Sequence, residues 1–315
     1  MKDETLYIVV PYFNHTNAAI NRTNLELCLK NLSVYKNSRV ILVEGIWNKE
    51  AELQDFSVYV YKHLKFDLQS PIWVKENLIN LAIQSLNNDW EYVCWLDKDI
   101  HFLNPNWDID TINKLKEYDI IQPWSRVLFL NKNYEIDRNI KSNNENSFVT
   151  MFNNCSDPNK EKGFLSYGKV KELGYESRVG HPGHTSATNR KFYEKIGGLF
   201  DRCIVGGGDS FLLCVIDQEF DLPYLKLKEH YKSFYAQYIN LARGTKVGCI
   251  EGTIAHYFHG DMENRNYFNR YKLLSDKINI ENDIEYQENG TLKINNKEKE
   301  KDILDYFYSR KEHEV

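Results

Sequence analysis

The chain has 315 residues, of which 42% are hydrophobic and 27% are charged, and its formal net charge is −5. This is the composition of a globular protein with enough apolar material for one large domain or two fused halves. The small negative charge gives no indication of a phosphate-rich polymer as partner, although it leaves room for a local basic groove. The apolar run before Pro11 is only five residues long, and no later run is long enough to cross a bilayer, so we expect a cytoplasmic protein without a membrane span.

The first part of the chain alternates short apolar runs with amphipathic segments. Helical spacing of apolar residues predicts helices over 22–32, 75–86 and 111–118. Compact apolar runs predict strands at 6–10, 40–43, 57–61, 92–96 and 119–122. This alternation predicts an α/β fold with a mainly parallel central sheet, flanking helices and ligands at the carboxyl ends of its strands.

The second part of the chain is less regular. Residues 130–180 are rich in Asn, Lys, Ser and Glu and are expected to form loops. Helices are predicted at 189–195 and from 209 to about 217. Beyond residue 276, the Asn289-Gly290 pair between two apolar stretches predicts a hairpin, and a charged helix is expected over 297–312. We therefore divide the chain into 1–125, 126–275 and 276–315.

Two acids follow the strand predicted at 92–96, in the sequence Asp97-Lys98-Asp99. Carboxylates separated by one residue at a strand end can converge on a hard divalent cation such as Mg²⁺ or Mn²⁺. A cation that bridges a diphosphate would neutralise charge on a leaving group. The alternative is a pair of solvated charges, but the apolar strand and the helix before it favour a metal site.

These motifs resemble the family 2 glycosyltransferases and their GT-A relatives. The resemblance lies in the strand and loop at 7–14, a second strand ending in an acid, and a helix leading to the strand before the D-x-D motif. It implies a GT-A type fold and binding of a nucleotide sugar. The implied nucleotide-binding residues are Pro11, Tyr12, Phe13, Asn14, Glu44, Lys75, Asn80, Asp97 and Lys98.

Residues 189–210 resemble the C-terminal signature of galactosyltransferases, in which a helix and a Gly-Gly-aromatic-Asp turn lead to a Gly-rich acid. Glycine at 206–208 lets a sugar approach the backbone closely. The resemblance makes Gly207, Gly208 and Asp209 sugar or acceptor contacts, and it makes Asp209 the candidate general base. The alternative role for Asp209 is an N-cap, which would not need three preceding glycines.

Histidines supply the remaining candidates. GT-A enzymes often take a metal ligand from a histidine near the domain end, and His259 beside Gly260 is our choice, with His256 second. The expected metal set is therefore Asp97, Asp99 and His259. His184, in the turn at 181–185, is expected to border the donor sugar or the acceptor rather than to bind zinc.

The sequence thus predicts a Mn²⁺- or Mg²⁺-dependent hexosyltransferase that moves a sugar from a nucleotide sugar, with UDP as the expected nucleotide, to an acceptor hydroxyl with inversion. The acceptor is a glycan, a protein or a modified nucleic-acid base. Residues 1–125 would bind the nucleotide sugar, 126–275 would bind the acceptor and catalyse, and 276–315 would be an appendage. The appendage resembles the ending of uncharacterised phage and large-virus glycosyltransferases, which would place the protein in a host cytoplasm.

Two other functions stay open on the same fold. A sugar nucleotidyltransferase would need a Gly-rich basic loop near the N-terminus, and residues 11–22 contain no glycine. A non-catalytic glycan-binding module would not need Asp97, Asp99 and Asp209, all of which are present.

Overall fold

The computed structural model describes residues 4–49, 52–138, 145–146, 181–209, 211–212, 229–265, 273 and 277–315. The strands are β1 (Leu6–Phe13), β2 (Ser38–Ile46), β3 (Lys62–Asp67), β4 (Tyr92–Leu96), β5 (Ile100–Phe102), β6 (Ile120–Gln122), β7 (Arg126–Phe129), β8 (Glu145–Asn146), β9 (Thr185–Asn189), β10 (Val247–Cys249), β11 (Thr253–His256), β12 (Ile284–Tyr286) and β13 (Leu292–Ile294). The helices are α1 (Ala19–Leu32), α2 (Lys75–Gln84), α3 (Trp107–Leu115), α4 (Arg190–Ile196), α5 (Glu229–Ala242) and α6 (Lys297–Ser309).

A seven-stranded sheet runs through the described part of the chain, in the order β10-β6-β9-β4-β1-β2-β3. Its pairs are parallel except at β9, which lies antiparallel between β4 and β6. The predicted α/β class with a mainly parallel central sheet is confirmed. Parallel strands are covered on both faces, which is why β1 and β4 are apolar along their length.

The side chains of β1 alternate between two cores. Tyr7 and Val9 pack with α2, whereas Leu6, Ile8 and Val10 pack with the buried face of α1. Such alternation follows from the two-residue period of a strand. It places the carboxyl end of β1 between the two helices. The strand continues to Phe13, so residues 11–13 of the predicted loop 11–14 are strand, paired with β2.

One predicted strand is wrong, because residues 57–59 form a turn and β3 follows at Lys62–Asp67. The carboxylate of Asp55 accepts hydrogen bonds from the backbone N–H and the hydroxyl of Ser57, which stabilises a turn over an extended chain. Val58 is 79% exposed, so its β-branched side chain does not report a buried strand. The strand that does pair with β2 is polar, and only its pairing identifies it.

Strands that the sequence did not predict bring distant histidines to the end of β4. The polar strand β9 pairs with β4, and the backbone N–H of Asp97 donates to the carbonyl oxygen of His184 at 2.8 Å. A second sheet, in the order β5-β11-β7-β8, pairs His256 with Ile100. The backbone N–H of Tyr257 donates to the Asp99 carbonyl oxygen at 2.8 Å.

The C-terminal hairpin is confirmed, with β12 and β13 paired around the Asn289-Gly290 turn. The helix α6 begins after Asn296, whose side chain accepts hydrogen bonds from the backbone of residues 298 and 299, as an N-cap does. Its residues Ile303, Tyr306 and Phe307 belong to the same apolar cluster as β1 and α2. The segment after β13 is therefore packed on the core.

Two predictions fall largely outside the described residues: the loops at 130–180, of which 139–144 and 147–180 are not described, and the helix beyond residue 212. Residues 208, 209, 211 and 212 are helical as expected. Among the helices that the structure describes, none has the length and apolarity needed to cross a membrane.

Candidate functional site

The two acids after β4 face different partners. The carboxylate of Asp97 forms a close ion pair with the ammonium group of Lys75, the first residue of α2. Asp99 is only 4% exposed, and its carboxylate lies beside His256, the last residue of β11, and His259. The two carboxylates of the D-x-D motif thus have different nearest partners, and the predicted role of Asp97 as a metal ligand stays a prediction.

Asp99 lies with two histidines in a buried cluster. Its Oδ1 is 3.6 Å from Nε2 of His256, and its Oδ2 is 3.4 Å from Nε2 of His259. One ligand atom from each of the three residues lies within 4.8 Å of the other two. The structure thus joins Asp99 to both histidines of the 256–259 segment, whereas the sequence favoured His259 alone.

The cluster fits a divalent transition-metal ion. Ligand atoms that each lie about 2.1 Å from a metal are about 3–3.5 Å apart, and the two carboxylate–imidazole separations are close to this range while too long for strong hydrogen bonds. Within the described residues, the buried Oδ1 of Asp99 accepts no hydrogen bond. One carboxylate with two imidazoles suits Mn²⁺ and its transition-metal neighbours better than Mg²⁺, which prefers oxygen ligands.

The protonation states agree with that donor set. Burial lowers the pKa of His256 well below its usual value and lowers the pKa of His259 as well. Burial opposes ionisation of Asp99, but its basic neighbours hold its pKa below its usual range. When both imidazoles are neutral, the ammonium group of Lys98 and the guanidinium group of Arg265 supply the positive charge. Neutral imidazoles and an ionised carboxylate are the forms that bind metal ions.

His184 lies beside this cluster instead of in an open loop. Its ring stacks on that of His181 with centroids 4.0 Å apart and meets the His256 ring edge-on at 5.1 Å. It is 4% exposed, and its backbone adopts a left-handed conformation with φ of 73°. Its expected contact with sugar or acceptor stays a prediction, and its observed contacts pack it against His256.

A pocket lies next to Lys75, the residue whose ammonium group pairs with Asp97. Lys75, Glu76 and Asp209 supply its charged groups, and Gly208 forms part of its wall. Its apolar lining consists of Trp95, Leu199, Phe200, Phe211, Leu212 and Tyr238. Aromatic faces beside carboxylates are the surfaces that a sugar ring can pack against and hydrogen-bond to.

The glycines of this region allow close packing of carboxyl groups. A Cβ atom on Gly208 would lie 2.4 Å from the carboxyl carbon of Glu76, and one on Gly183 would lie 2.6 Å from Oδ2 of Asp209. Gly207 has φ of 103°, which an L-residue rarely adopts. Glycine at these positions therefore lets the backbone run directly against the two acids.

Glu76 is a site residue that the sequence reasoning missed. It is 6% exposed, and burial raises its pKa to about 7 against the opposing effect of Lys75. The sequence does contain a sign of its burial: Glu76 lies three residues before Ile79 and seven before Ile83, and this spacing puts it on the apolar face of α2. An acid in an apolar helical stripe is a candidate functional group.

The segment predicted as a nucleotide loop, residues 11–14, consists of the last three residues of β1 and Asn14 after it, and its side chains bond to their neighbours. Asn14 donates to the carbonyl oxygen of Ala18 and accepts from its N–H, both at 2.9 Å, and it also donates to the hydroxyl of Tyr12 at 3.1 Å. Phe13 packs edge-on against Trp73 with ring centroids 5.1 Å apart. Pro11 pairs with Val43 in the parallel register of β1 and β2. These contacts hold residues 11–14 at the carboxyl end of β1.

Two predicted nucleotide contacts have structural partners. Glu44 accepts from the backbone N–H of Leu53 at 2.7 Å and lies 2.9 Å from Nε2 of His63. Asn80 bonds to both backbone groups of Leu199 and accepts from the hydroxyl of Tyr193. These bonds hold loops on the fold, and a role in nucleotide binding stays a prediction for both residues. Lys98 is nearer the cluster, with Nζ 3.6 Å from Oδ2 of Asp99.

The C-terminal segment also reaches the site, which the sequence did not indicate. Glu312 lies 3.2 Å from Nδ1 of His259 through its Oε1 atom. Phe307 stacks parallel to Trp73 with centroids 6.5 Å apart, next to the predicted nucleotide loop. Contacts over such a sequence separation carry no local pattern, so only the folded chain reveals them.

No protein-family model matches the chain, and no curated protein matches it. Among solved structures, it is similar to glucosyl-3-phosphoglycerate synthase from Mycobacterium tuberculosis in complex with Mg²⁺ and UDP (10% identity, 86% of this chain, 77% of that chain, TM-score 0.44). It is also similar to the mannosyltransferase PcManGT from Pyrobaculum calidifontis in complex with GDP-Man and Mn²⁺ (12%, 85%, 60%, 0.43). A third is the catalytic domain of Drosophila beta1,4galactosyltransferase 7 in complex with xylobiose (12%, 95%, 98%, 0.38). All three are distant likenesses of overall fold.

Proposed function

We propose that the chain is a metal-dependent glycosyltransferase of the GT-A type, which transfers a sugar from a nucleotide sugar to an acceptor hydroxyl. The observation that carries the proposal is the buried cluster of Asp99, His256 and His259 after β4, together with a pocket lined by carboxylates and aromatic rings. The two are linked along the chain by Asp97, which pairs with Lys75 in the pocket wall. A divalent cation bound there would offset the negative charge of a diphosphate leaving group. The expected donor is a UDP sugar, and the expected cation is Mn²⁺.

The surroundings of the three carboxylates suit them to different roles. Asp99 is enclosed by basic side chains and suits a metal ligand, whereas Asp97 is held by Lys75. Asp209 lines the pocket with its carboxylate against Gly183, where an acceptor hydroxyl can reach it. We assign Asp209 as the general base that removes the hydroxyl proton as the new glycosidic bond forms. The activated hydroxyl would attack the anomeric carbon on the face opposite the nucleoside diphosphate, which leaves as the new bond forms, so the transfer would invert the anomeric configuration.

Glu76 is the second acid of the pocket. A pKa of about 7 means that its carboxyl group is neutral for about half of the molecules near pH 7. A protonated carboxyl group can donate a hydrogen bond to a sugar oxygen, which Asp209 as a carboxylate cannot do. The pocket therefore offers one proton acceptor and one proton donor to substrate hydroxyl groups.

The first experiment is a panel of nucleotide sugars with Mn²⁺, measured by thermal shift and by release of nucleotide. A true donor should stabilise the fold by about 2.7 kcal/mol at one hundred times its dissociation constant. EDTA should abolish transfer. Full transfer in chelator, or no stabilisation by any nucleotide sugar, would contradict the proposal.

The second experiment compares Asp209→Asn with Asp55→Asn, a change in an exposed acid of a turn before β3. The amide keeps the size of the side chain but removes its basicity, so Asp209→Asn should lower turnover about 10²–10⁴-fold with donor affinity nearly unchanged. The Asp55 variant should match the wild type. Retention of anomeric configuration, or loss of less than a factor of ten with chemistry rate-limiting, would remove Asp209 from the role of base.

A further inference from the structure

The end of the chain lies against the proposed metal cluster. After α6, Lys311 adopts a left-handed conformation with φ of 54°, and a short 3₁₀ turn follows at Glu312–Glu314. The turn packs on Gly260, since a Cβ atom there would lie 3.7 Å from Cγ of Glu312. The side chain of Glu312 is 14% exposed, so this carboxylate is largely withdrawn from solvent.

Three elements hold the Glu312 carboxylate in one orientation. Its Oε1 accepts from Nη2 of Arg310 at 2.5 Å and lies 3.2 Å from Nδ1 of His259. Its Oε2 accepts from the side-chain amide of Asn21 on α1 at 3.2 Å. A carboxylate fixed from both oxygens by a cation and an amide is a rigid partner for the third group, the imidazole of His259.

The contact uses the ring nitrogen that faces away from Asp99. Nδ1 of His259 meets Glu312, whereas Nε2 faces Asp99 at 3.4 Å. A carboxylate paired with a guanidinium group can only accept a hydrogen bond, so Nδ1 of a neutral imidazole must carry the hydrogen. The lone pair of His259 then lies on Nε2, the atom that belongs to the proposed metal cluster. A segment that blocked the cluster would instead be expected at Nε2.

We propose that Glu312 is a positioning residue that fixes the tautomer and the ring orientation of His259 for metal binding, so that the C-terminal segment is part of the metal site. The inference rests on the proposed metal function of Asp99, His256 and His259. Carboxylates that orient a histidine ligand in this way typically contribute 10–100-fold to metal affinity. The segment 310–315 is then a part of the site instead of an appendage.

The test measures Mn²⁺ affinity directly, by calorimetry or by electron paramagnetic resonance of free Mn²⁺, in the full chain without substrate. Glu312→Ala removes the acceptor, and Glu312→Gln keeps an acceptor oxygen without charge. Glu314→Ala is the matched control, because Glu314 lies in the same 3₁₀ turn and its side chain is 59% exposed. Melting temperature without metal is recorded for all variants.

We expect a 10–100-fold loss of Mn²⁺ affinity in Glu312→Ala, a smaller loss in Glu312→Gln and no change in Glu314→Ala. If Glu312→Ala does not fold, the same comparison between Glu312→Gln and the control decides the matter. Unchanged affinity in the Glu312 variants of a chain that binds Mn²⁺ would overturn this inference alone. A wild-type chain that binds no divalent cation would overturn the proposed metal function together with it.

Discussion

Replacing Glu76 by glutamine should change how the stability of the protein depends on pH. Glu76 is 6% exposed, beneath Gly208 and beside the pocket. Burial raises the pKa of its carboxyl group from an ordinary value of 4.5 to about 7, although Lys75 acts in the opposite direction. Glutamine has nearly the same shape but no titratable proton, so the substitution isolates the cost of ionising this group.

The sign and size of the effect follow from proton linkage. Between pH 4.5 and about 7, the folded chain keeps the proton of Glu76 whereas the unfolded chain releases it. The unfolded state then binds fewer protons, and the free energy of unfolding falls as pH rises through this window. A change of one pKa unit corresponds to about 1.36 kcal/mol, so the whole loss is on the order of 3 kcal/mol.

The measurement is urea unfolding of the wild type, Glu76→Gln and the exposed control Glu117→Gln from pH 4 to pH 8, with EDTA present. Acids other than the substituted one are present in each variant as in the wild type, so their effects largely cancel in the difference between wild type and variant. The wild type should lose about 3 kcal/mol relative to Glu76→Gln over this range. A difference that stays constant with pH would refute the buried-carboxyl argument, as would the same trend in the Glu117 control.

Three further changes test the packing around the site by urea unfolding. Gly208→Ala should lower the free energy of unfolding by about 1–3 kcal/mol, because the new Cβ would overlap the carboxyl group of Glu76. In the control Gly252→Ala, the nearest atom would lie 3.4 Å from the new Cβ, and the free energy of unfolding should change little. Asn80→Ala should lower the free energy of unfolding by about 1–3 kcal/mol for each backbone group of Leu199 that loses its partner. An unchanged free energy of unfolding would show that water replaces the amide. Phe307→Ala should cost about 3–5 kcal/mol and change tryptophan fluorescence; an unchanged spectrum would argue against its stacking on Trp73.

The sequence predicted those parts of the fold whose pattern is local. Apolar runs identified β1, β2 and β4, helical spacing identified α1 and α2, and an Asn-Gly pair identified the hairpin before α6. β9 escaped prediction because its residues, Thr-Ser-Ala-Thr-Asn, are mostly polar, and β3 because it is an edge strand with three lysine or histidine residues. Such strands exist because of their partners, which a single segment does not reveal.

The residues of the candidate site were likewise predictable only where they lie in short sequence motifs. Asp97, Asp99, His259 and Asp209 were predicted from short motifs that lie at element ends, and the structure brings Asp99 and His259 together. Glu312 is 53 residues from His259, and its contact depends on how α6 packs on the core. Long-range contacts of this kind leave no periodic signal in the sequence.

The pairing of Asp97 with Lys75 has a consequence for charge. Because Lys75 pairs with Asp97, a divalent cation would be bound by Asp99 and two neutral imidazoles, and the centre would carry one net positive charge. Coordination by both carboxylates would reduce that net charge to zero. A net positive centre attracts a diphosphate.

Lys75→Met should therefore weaken binding of UDP in the presence of Mn²⁺ without weakening Mn²⁺ binding itself, because the substitution leaves the carboxylate of Asp97 unpaired near the cation. The control is Lys62→Met, at a half-buried lysine whose ammonium group bonds to Ser85 after α2, and it should change neither affinity. Calorimetric titration of each variant with Mn²⁺ and then with UDP separates the two effects. A parallel loss of both affinities would mean that Lys75 maintains the metal site, and that the ion pair with Asp97 is a support of the fold instead of a means of keeping charge at the diphosphate.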